Sequence, residues 1–156
     1  MGLVNVLLGL DLIAGRATAI GADFLLSGPL NLWFRGLTPN PKPFFVLVTS
    51  FKSADRLVDA LSIGATSLAW PESWGNIRGR RVRLNLRGYV IAILVDPEIE
   101  TNNGITRFVA SDMARRAGHV VIGDYIIRLA PLDFEYVLRN AVGGFMDDEA
   151  QEGLEK

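Results

Sequence analysis

The positions of apolar and polar residues along the chain predict helices that alternate with strands. Residues 3–14 are apolar on nearly every side of a helix, which predicts a helix that is buried or docked on a partner and that ends at Gly15. Residues 44–48 and 89–95 are continuous apolar runs, typical of strands in the middle of a sheet. Residues 81–87 alternate between apolar and polar side chains and predict a half-exposed strand.

Caps, glycines and prolines divide the rest of the chain into shorter elements. These are a strand over residues 23–26, a helix over 30–35 that follows Ser27 and ends at Gly36, a helix from Ser53 to Gly64, a loop over 70–79, a helix over 105–117, a hairpin of residues 120–122 and 125–129, and a helix over 132–141. This order predicts an α/β or α+β fold, with a mixed central sheet flanked by helices.

The composition is typical of one globular domain. The chain has 156 residues, of which 49% are hydrophobic and 21% charged, and its formal net charge is −1. We interpret residues 1–144 as one domain and residues 145–156 as an acidic tail. No apolar run reaches the ~18–20 residues of a membrane span, and no basic segment precedes the apolar N-terminus. We therefore expect a cytoplasmic protein with no membrane partner.

The supply of metal-binding side chains limits the chemistry. The chain has no cysteine, which excludes disulfides, thiolate catalysis and cysteine-bound zinc. Its single histidine, His119, excludes a histidine-rich metal site within one chain. A magnesium site built from carboxylates remains open in principle.

Residues 23–48 resemble the opening of the nucleotidyltransferase superfamily, in particular its minimal members that act as antitoxins. In that family a strand leads into a Gly-Gly or Gly-Ser turn, a short helix, a His-Gly or similar step, and a strand carrying Asp-x-Asp. The matching segments here are residues 24–26, Ser27-Gly28, residues 29–34, Arg35-Gly36 and residues 44–48; residues 89–95 resemble the strand with a third Asp, and residues 123–142 the closing hairpin and helix. The resemblance covers about residues 20–142 and implies a nucleotidyltransferase-like fold.

The chain departs from the family at the positions that bind metal. Family members need two or three carboxylates because two magnesium ions bridge the nucleotide phosphates and activate the attacking oxygen. The paired Asp positions fall on Pro43 and Phe45 and the third on Ala92, none of which binds a hard cation. Asp96 would share the face of Ala92, but ~13 Å farther along the strand. We therefore expect no catalytic and no metal-binding residues.

The Ser27-Gly28 turn is the first candidate binding site. In an active relative its backbone N–H groups would hold a phosphate, since exposed amides at a helix N-terminus attract anions. The alternative is an ordinary capped turn without a ligand. If nucleotide binding survives as a vestige, these two residues are where we expect it.

A cluster of arginines is the second candidate site. Five guanidinium groups within ten residues make a positive patch suited to phosphate, RNA or an acidic partner, and Trp74 and Tyr89 flank it as aromatics able to stack on bases. The alternatives are a solvated strand face or a dock for the chain's own acidic tail. The cluster consists of Arg78, Arg80, Arg81, Arg83 and Arg87.

Three functional hypotheses follow from the sequence. The first is a pseudoenzyme, a non-catalytic domain that acts by binding a protein partner, a second copy of itself as a homodimer, or a nucleic acid, and that needs no cofactor. The second is a divergent active nucleotidyltransferase that uses Mg²⁺ and recruits Asp96 or Asp23. The third is an RNA-binding module based on the arginine cluster. The apolar first helix is either part of the core or an interface with a partner.

Overall fold

The structure, a computed structural model, describes residues 2–39 and 42–143. The predicted acidic tail, residues 145–156, lies outside these residues. No helix among them is long and apolar enough to span a membrane. The elements are α1 (Leu3–Ala19), β1 (Leu25–Ser27), α2 (Gly28–Phe34), β2 (Phe44–Thr49), α3 (Phe51–Ser62), β3 (Ala65–Ser67), β4 (Ile77–Arg78), β5 (Arg81–Leu86), β6 (Tyr89–Val95), β7 (Glu98–Thr101), β8 (Gly104–Arg107), α4 (Ala110–Ala114), β9 (Gly118–Ile122), β10 (Tyr125–Leu129) and α5 (Leu132–Ala141).

The described strands form two sheets. The larger has seven strands in the order β3-β5-β6-β2-β1-β10-β9, and the smaller has three in the order β4-β7-β8. In the large sheet β2 pairs in parallel with β6 and β1 in parallel with β10, while the other neighbours are antiparallel. The prediction of a mixed central sheet flanked by helices is confirmed.

The centre of the large sheet is covered on both faces, and this is why β2 and β6 are continuous apolar runs. On one face, which we call the α1 face, α1 and α3 pack over Phe45 and Leu47 of β2. On the other, the α5 face, α4, α5 and the small sheet pack over Phe44, Val46 and Val48. Alternate residues of one strand therefore belong to different halves of the core.

The first helix is longer than predicted. It passes through Gly15 and ends at Ala19, and Gly21, with φ of 66°, follows its end as the left-handed residue. A Cβ at Gly15 would lie only 3.1 Å from the hydroxyl oxygen of Tyr125. The glycine is thus a point of close packing inside the helix and does not terminate it.

The predicted helix over residues 105–117 is wrong over most of its length. Its first residues form β8, which pairs with β7, and only Ala110–Ala114 is helical. β-Branched residues at Ile99, Thr101 and Thr106 favour strands. The turn between the two strands is Asn102-Asn103, and Thr101 pairs with Gly104 on either side of it. The consequence is a small second sheet that supports the α5 face.

Two smaller predictions also need correction. Ser50, not Ser53, is the N-cap of α3, and its side chain accepts a hydrogen bond from the Ser53 N–H at 3.3 Å. The loop predicted over residues 70–79 contains the short 3₁₀ turn Glu72–Trp74 and strand β4. Trp74 is 2% exposed and lies in the core of the α5 face, which explains the order of this segment.

Candidate functional site

The turn between β1 and α2 holds Ser27 and Gly28. Gly28 has φ of 73°, and a Cβ on it would lie 2.7 Å from Cγ2 of Val46 on β2. Glycine is therefore required here both by backbone conformation and by the close approach of β2. Ser27 stands at the N-cap position, but its side chain makes no cap hydrogen bond to α2.

The side chain of Glu135 fills this turn. The Ser27 hydroxyl donates a hydrogen bond to Oε1 of Glu135, and the Gly28 N–H donates to Oε2 at 2.9 Å. Glu135 comes from the first turn of α5 and is only 3% exposed. The two donors that would hold a phosphate in an active relative thus already hold an internal carboxyl group.

Further polar groups of α2 hold this arrangement in place. Asn31 Nδ2 donates to the carbonyl oxygen of Ala130 at 3.0 Å, and Arg35 Nη2 donates to the same oxygen at 2.8 Å. Arg35 Nε also donates to Oδ1 of Asn31 at 3.0 Å. These contacts join α2 to the segment between β10 and α5, and so fix Glu135 relative to the turn.

Burial raises the pKa of the Glu135 carboxyl from 4.5 to about 7. The hydrogen bonds from Ser27, Gly28 and Asn31, with the positive charge of Arg35, act in the opposite direction and lower the pKa. Loss of contact with water outweighs them because almost the whole side chain is buried. The group in the turn therefore changes charge near neutral pH.

The positions aligned with the paired carboxylates lie in or beside the core of the α1 face. Phe45 is fully buried, and its ring packs edge-on against Tyr89 with centroids 5.8 Å apart. Gly9 of α1 lies above both rings, where a Cβ would be within 2.9 Å of each. Pro43 directly precedes β2, and its carbonyl oxygen accepts a hydrogen bond from Val90. No space for a hydrated cation exists where the Phe45 ring packs.

The third aligned position, Ala92, requires a correction. Ala92 is the register partner of Val46 and lies in the core of the α5 face, whereas Phe45 faces α1. A carboxylate at Ala92 would point away from one at Phe45, because neighbouring positions alternate across a sheet. The β6 residues that share the face of Phe45 are Ile91 and Ile93, which are also apolar and fully buried.

Asp96, the spare acid in the sequence, has a structural role. Its two carboxylate oxygens accept hydrogen bonds from the Phe51 N–H at 3.2 Å and the Ala110 N–H at 2.8 Å. It is 7% exposed and adopts φ of 39°. Asp96 thus satisfies the first amide of α3 and the first amide of α4, and neither oxygen is directed to a ligand site.

Replacing Asp96 with Ala is expected to lower the free energy of unfolding by about 1–3 kcal/mol, because the buried Ala110 N–H and the partly buried Phe51 N–H lose their acceptor. Urea unfolding followed by circular dichroism measures the change. Asp96→Asn is the matched control: it retains one acceptor oxygen and tolerates positive φ, so its loss should be smaller. An Asp96→Ala change below about 0.5 kcal/mol would contradict the capping role.

Asp23, the other acid proposed for an active enzyme, lies at the opposite end of β1 from Ser27. Its carbonyl oxygen accepts a hydrogen bond from Thr49 Oγ1 at 2.7 Å, beside a groove of about 830 Å³ that Arg56, Asp124 and Arg128 also line. Within residues 2–39 and 42–143, no three histidine, aspartate or glutamate side chains gather as ligands of one ion.

The arginine cluster makes contacts within the chain. Arg78 forms an ion pair with Glu100, and Arg80 forms one with Asp55, each at 2.6 Å. Arg81 donates a hydrogen bond to the Trp74 carbonyl, and its guanidinium carbon lies 4.7 Å from the Trp70 ring centre. Arg83 donates a hydrogen bond to the Ala69 carbonyl at 2.7 Å. Arg87, with φ of 54°, stands in the turn between β5 and β6. A nucleic acid would have to compete with these contacts, and they weaken the case for an RNA surface.

Known proteins share the fold but not a recognisable sequence. No family model matches the chain, and no curated protein matches it. The crystal structure of a candidate nucleotidyltransferase of Thermotoga maritima, TM1012, superimposes with a TM-score of 0.70 at 19% identity, over 99% of this chain and 93% of that one. The lincosamide antibiotic adenylyltransferase LnuA, with lincomycin bound, gives 0.56 at 14% identity over 82% of each chain. The chain therefore has a nucleotidyltransferase-like fold.

Proposed function

We propose that this chain is a non-catalytic domain of nucleotidyltransferase-like fold that acts by binding a partner. The observation that carries the proposal is the carboxyl group of Glu135 in the Ser27-Gly28 turn, where it takes the two donors a nucleotide phosphate would need. Because Glu135 belongs to the chain, it competes with any phosphate at a very high effective concentration. Binding of a nucleotide would require α5 to move.

The metal-binding positions support the same proposal. Nucleotidyl transfer needs magnesium to stabilise the charge on the transferred phosphoryl group, and magnesium needs oxygen ligands. The turn and Glu135 adjoin the α5 face, where the strand residues Phe44, Val46 and Ala92 are apolar and buried. On the α1 face, where Phe45 points, the neighbouring Ile91 and Ile93 are apolar as well. Asp96 is bound to two backbone amides and does not replace the missing carboxylates. We propose that the chemistry is lost and the scaffold retained.

We propose that the domain acts in the cytoplasm. The absence of cysteine from all 156 residues means that folding depends on no disulfide, which suits a reducing compartment.

A transfer assay tests the proposal. The protein is incubated with each labelled nucleoside triphosphate and with Mg²⁺ or Mn²⁺, and transfer to protein, RNA and small hydroxyl acceptors is followed, with LnuA and lincomycin as the positive control. We expect no transfer, and no heat of nucleotide binding by calorimetry. Transfer that depends on the divalent cation, stays with the protein through a second purification step and changes in Ser27→Ala would overturn the proposal. Transfer activity that separates from the protein would indicate a contaminating enzyme.

A further inference from the structure

We infer that β9 is the contact surface of a homodimer, in which it pairs antiparallel with β9 of a second copy. β9 is the last strand of the seven-stranded sheet, and within the described residues nothing pairs with its outer edge. An exposed strand edge offers unpaired N–H and C=O groups to another strand. This inference stands whether or not the domain binds nucleotide.

The sequence of β9 carries none of the features that protect an edge strand. Gly118–Ile122 contains no proline and no lysine, and its register with β10 runs without a bulge. Val121 is 66% exposed, and its register partner Ile126 on β10 is 70% exposed. The opposite edge of the sheet differs, because β3 is a three-residue strand of small and polar residues. The unprotected edge is therefore at β9.

The hairpin geometry determines which backbone groups point outward. A two-residue turn, Gly123-Asp124, joins β9 to β10, so Ile122 and Tyr125 form the hydrogen-bonded pair that closes it. Hydrogen-bonded and non-hydrogen-bonded pairs alternate along an antiparallel ladder. It follows that His119 and Val121 direct their N–H and C=O groups away from β10.

A second copy of β9 matches these outward groups. With a two-fold axis at Val120, His119 of one copy lies opposite Val121 of the other, and the reverse, which gives four backbone hydrogen bonds. The exposed Val121 and Ile126 of both copies then form one apolar surface across the axis. The contact is isologous and closes on itself, so it forms a dimer and not a fibre.

The charged side chains at the two ends of β9 favour antiparallel over parallel pairing of two copies. Arg115 precedes β9, and Arg128 of β10 lies opposite His119 in the strand register, near the beginning of β9. This end of the strand is therefore cationic. Asp124 lies at the other end, where Asp11 of α1 also approaches Gly123. Among the described residues none of these four charged side chains has an ion-pair partner. Antiparallel pairing of two copies places the cationic end of each beside the acidic end of the other, while parallel pairing would place like charges together.

Sedimentation equilibrium or light scattering on the full chain tests the inference. We expect a mass of twice 17.1 kDa. Val121→Lys should shift the protein to monomer, because the lysine replaces an apolar contact beside the axis and brings two like charges together as diagonal neighbours. Thr66→Lys on β3 is the matched control and should leave the dimer intact. A far-UV spectrum and melting curve for each variant confirm that it is folded.

Charge reversal separates self-pairing from other contacts. Arg115→Asp and Asp124→Arg should each weaken the dimer by at least about tenfold, since each brings like charges together at both ends. An equimolar mixture of these two variants should recover the dimer, because every contact is then between opposite charges. A monomeric unmodified chain, or a dimer unaffected by Val121→Lys, would overturn the inference. Failure of the mixture to recover the dimer would rule out the antiparallel register.

Discussion

Phe45→Asp is expected to unfold the domain at neutral pH and room temperature. The substitution restores a carboxylate at one of the two paired positions of an active relative. In this chain, however, the Phe45 ring is fully buried between Tyr89 and Gly9. Removing a buried Phe costs about 3–5 kcal/mol, and burying an unpaired carboxylate adds several more. The total is comparable to the ~5–15 kcal/mol that holds a typical domain together.

The prediction is checked by circular dichroism and thermal melting, with two controls. Phe51→Asp places the same side chain on α3, where Phe51 is 59% exposed, and should change stability by no more than about 0.5 kcal/mol. Phe45→Leu keeps the position apolar and should fold with reduced stability. A folded Phe45→Asp protein that gains affinity for Mg²⁺ would contradict the assignment of this position to the core.

Glu135→Gln is expected to remove a large pH dependence from stability. The folded state raises the pKa of Glu135 from 4.5 to about 7, so it binds this proton more tightly than the unfolded state does. The stabilisation is therefore complete below about pH 4.5 and is lost as the pH rises through 7. At about 1.4 kcal/mol per pKa unit, the loss between pH 5 and 8.5 amounts to about 2–3 kcal/mol.

Urea unfolding of both proteins from pH 5 to 8.5 measures this effect. Glutamine keeps the shape of the side chain, accepts from the Gly28 N–H and donates to Ser27, but it does not titrate. Subtracting the variant from the wild type thus removes the contribution of every other titrating group. The wild type should lose stability relative to the variant as the pH rises. A relative gain would mean that the turn stabilises the carboxylate and lowers its pKa.

The longer strands of the large sheet were predictable from the sequence, whereas the short strands β3, β4, β7 and β8 were missed. β5 and β6 lie where alternation and a continuous apolar run placed them, and the hairpin of β9 and β10 lies on either side of Gly123-Asp124 as predicted. These signals are local, because burial on one or both faces of a sheet imposes a period on the strand itself. The predicted helix over residues 105–117 was wrong because its apolar spacing also suits one strand, β8, followed by the short helix α4.

The candidate site could be predicted only in part. The Ser27-Gly28 turn was identified from its own residues, but its occupant lies more than a hundred residues later in the chain. The sequence did contain one indication that Glu135 is buried. Glu135, Leu138 and Val142 follow the i, i+3, i+7 spacing of one helix face, and this face of α5 is buried. An acid on the apolar side of a helix requires a polar partner in the core. Phe45 and Ala92 point to opposite faces of the large sheet because of the register between β2 and β6, which the sequence did not determine.

The most direct test of a filled turn is the amide resonance of Gly28 in a nitrogen-15-labelled sample. If Glu135 occupies the turn, this resonance should move with pH about a midpoint near 7, and it should not move when a nucleoside triphosphate is added with Mg²⁺. The midpoint should vanish in Glu135→Gln. Saturable movement of the Gly28 resonance on adding nucleotide, with loss of its response to Glu135, would show that phosphate displaces the side chain and would contradict the proposed loss of nucleotide binding.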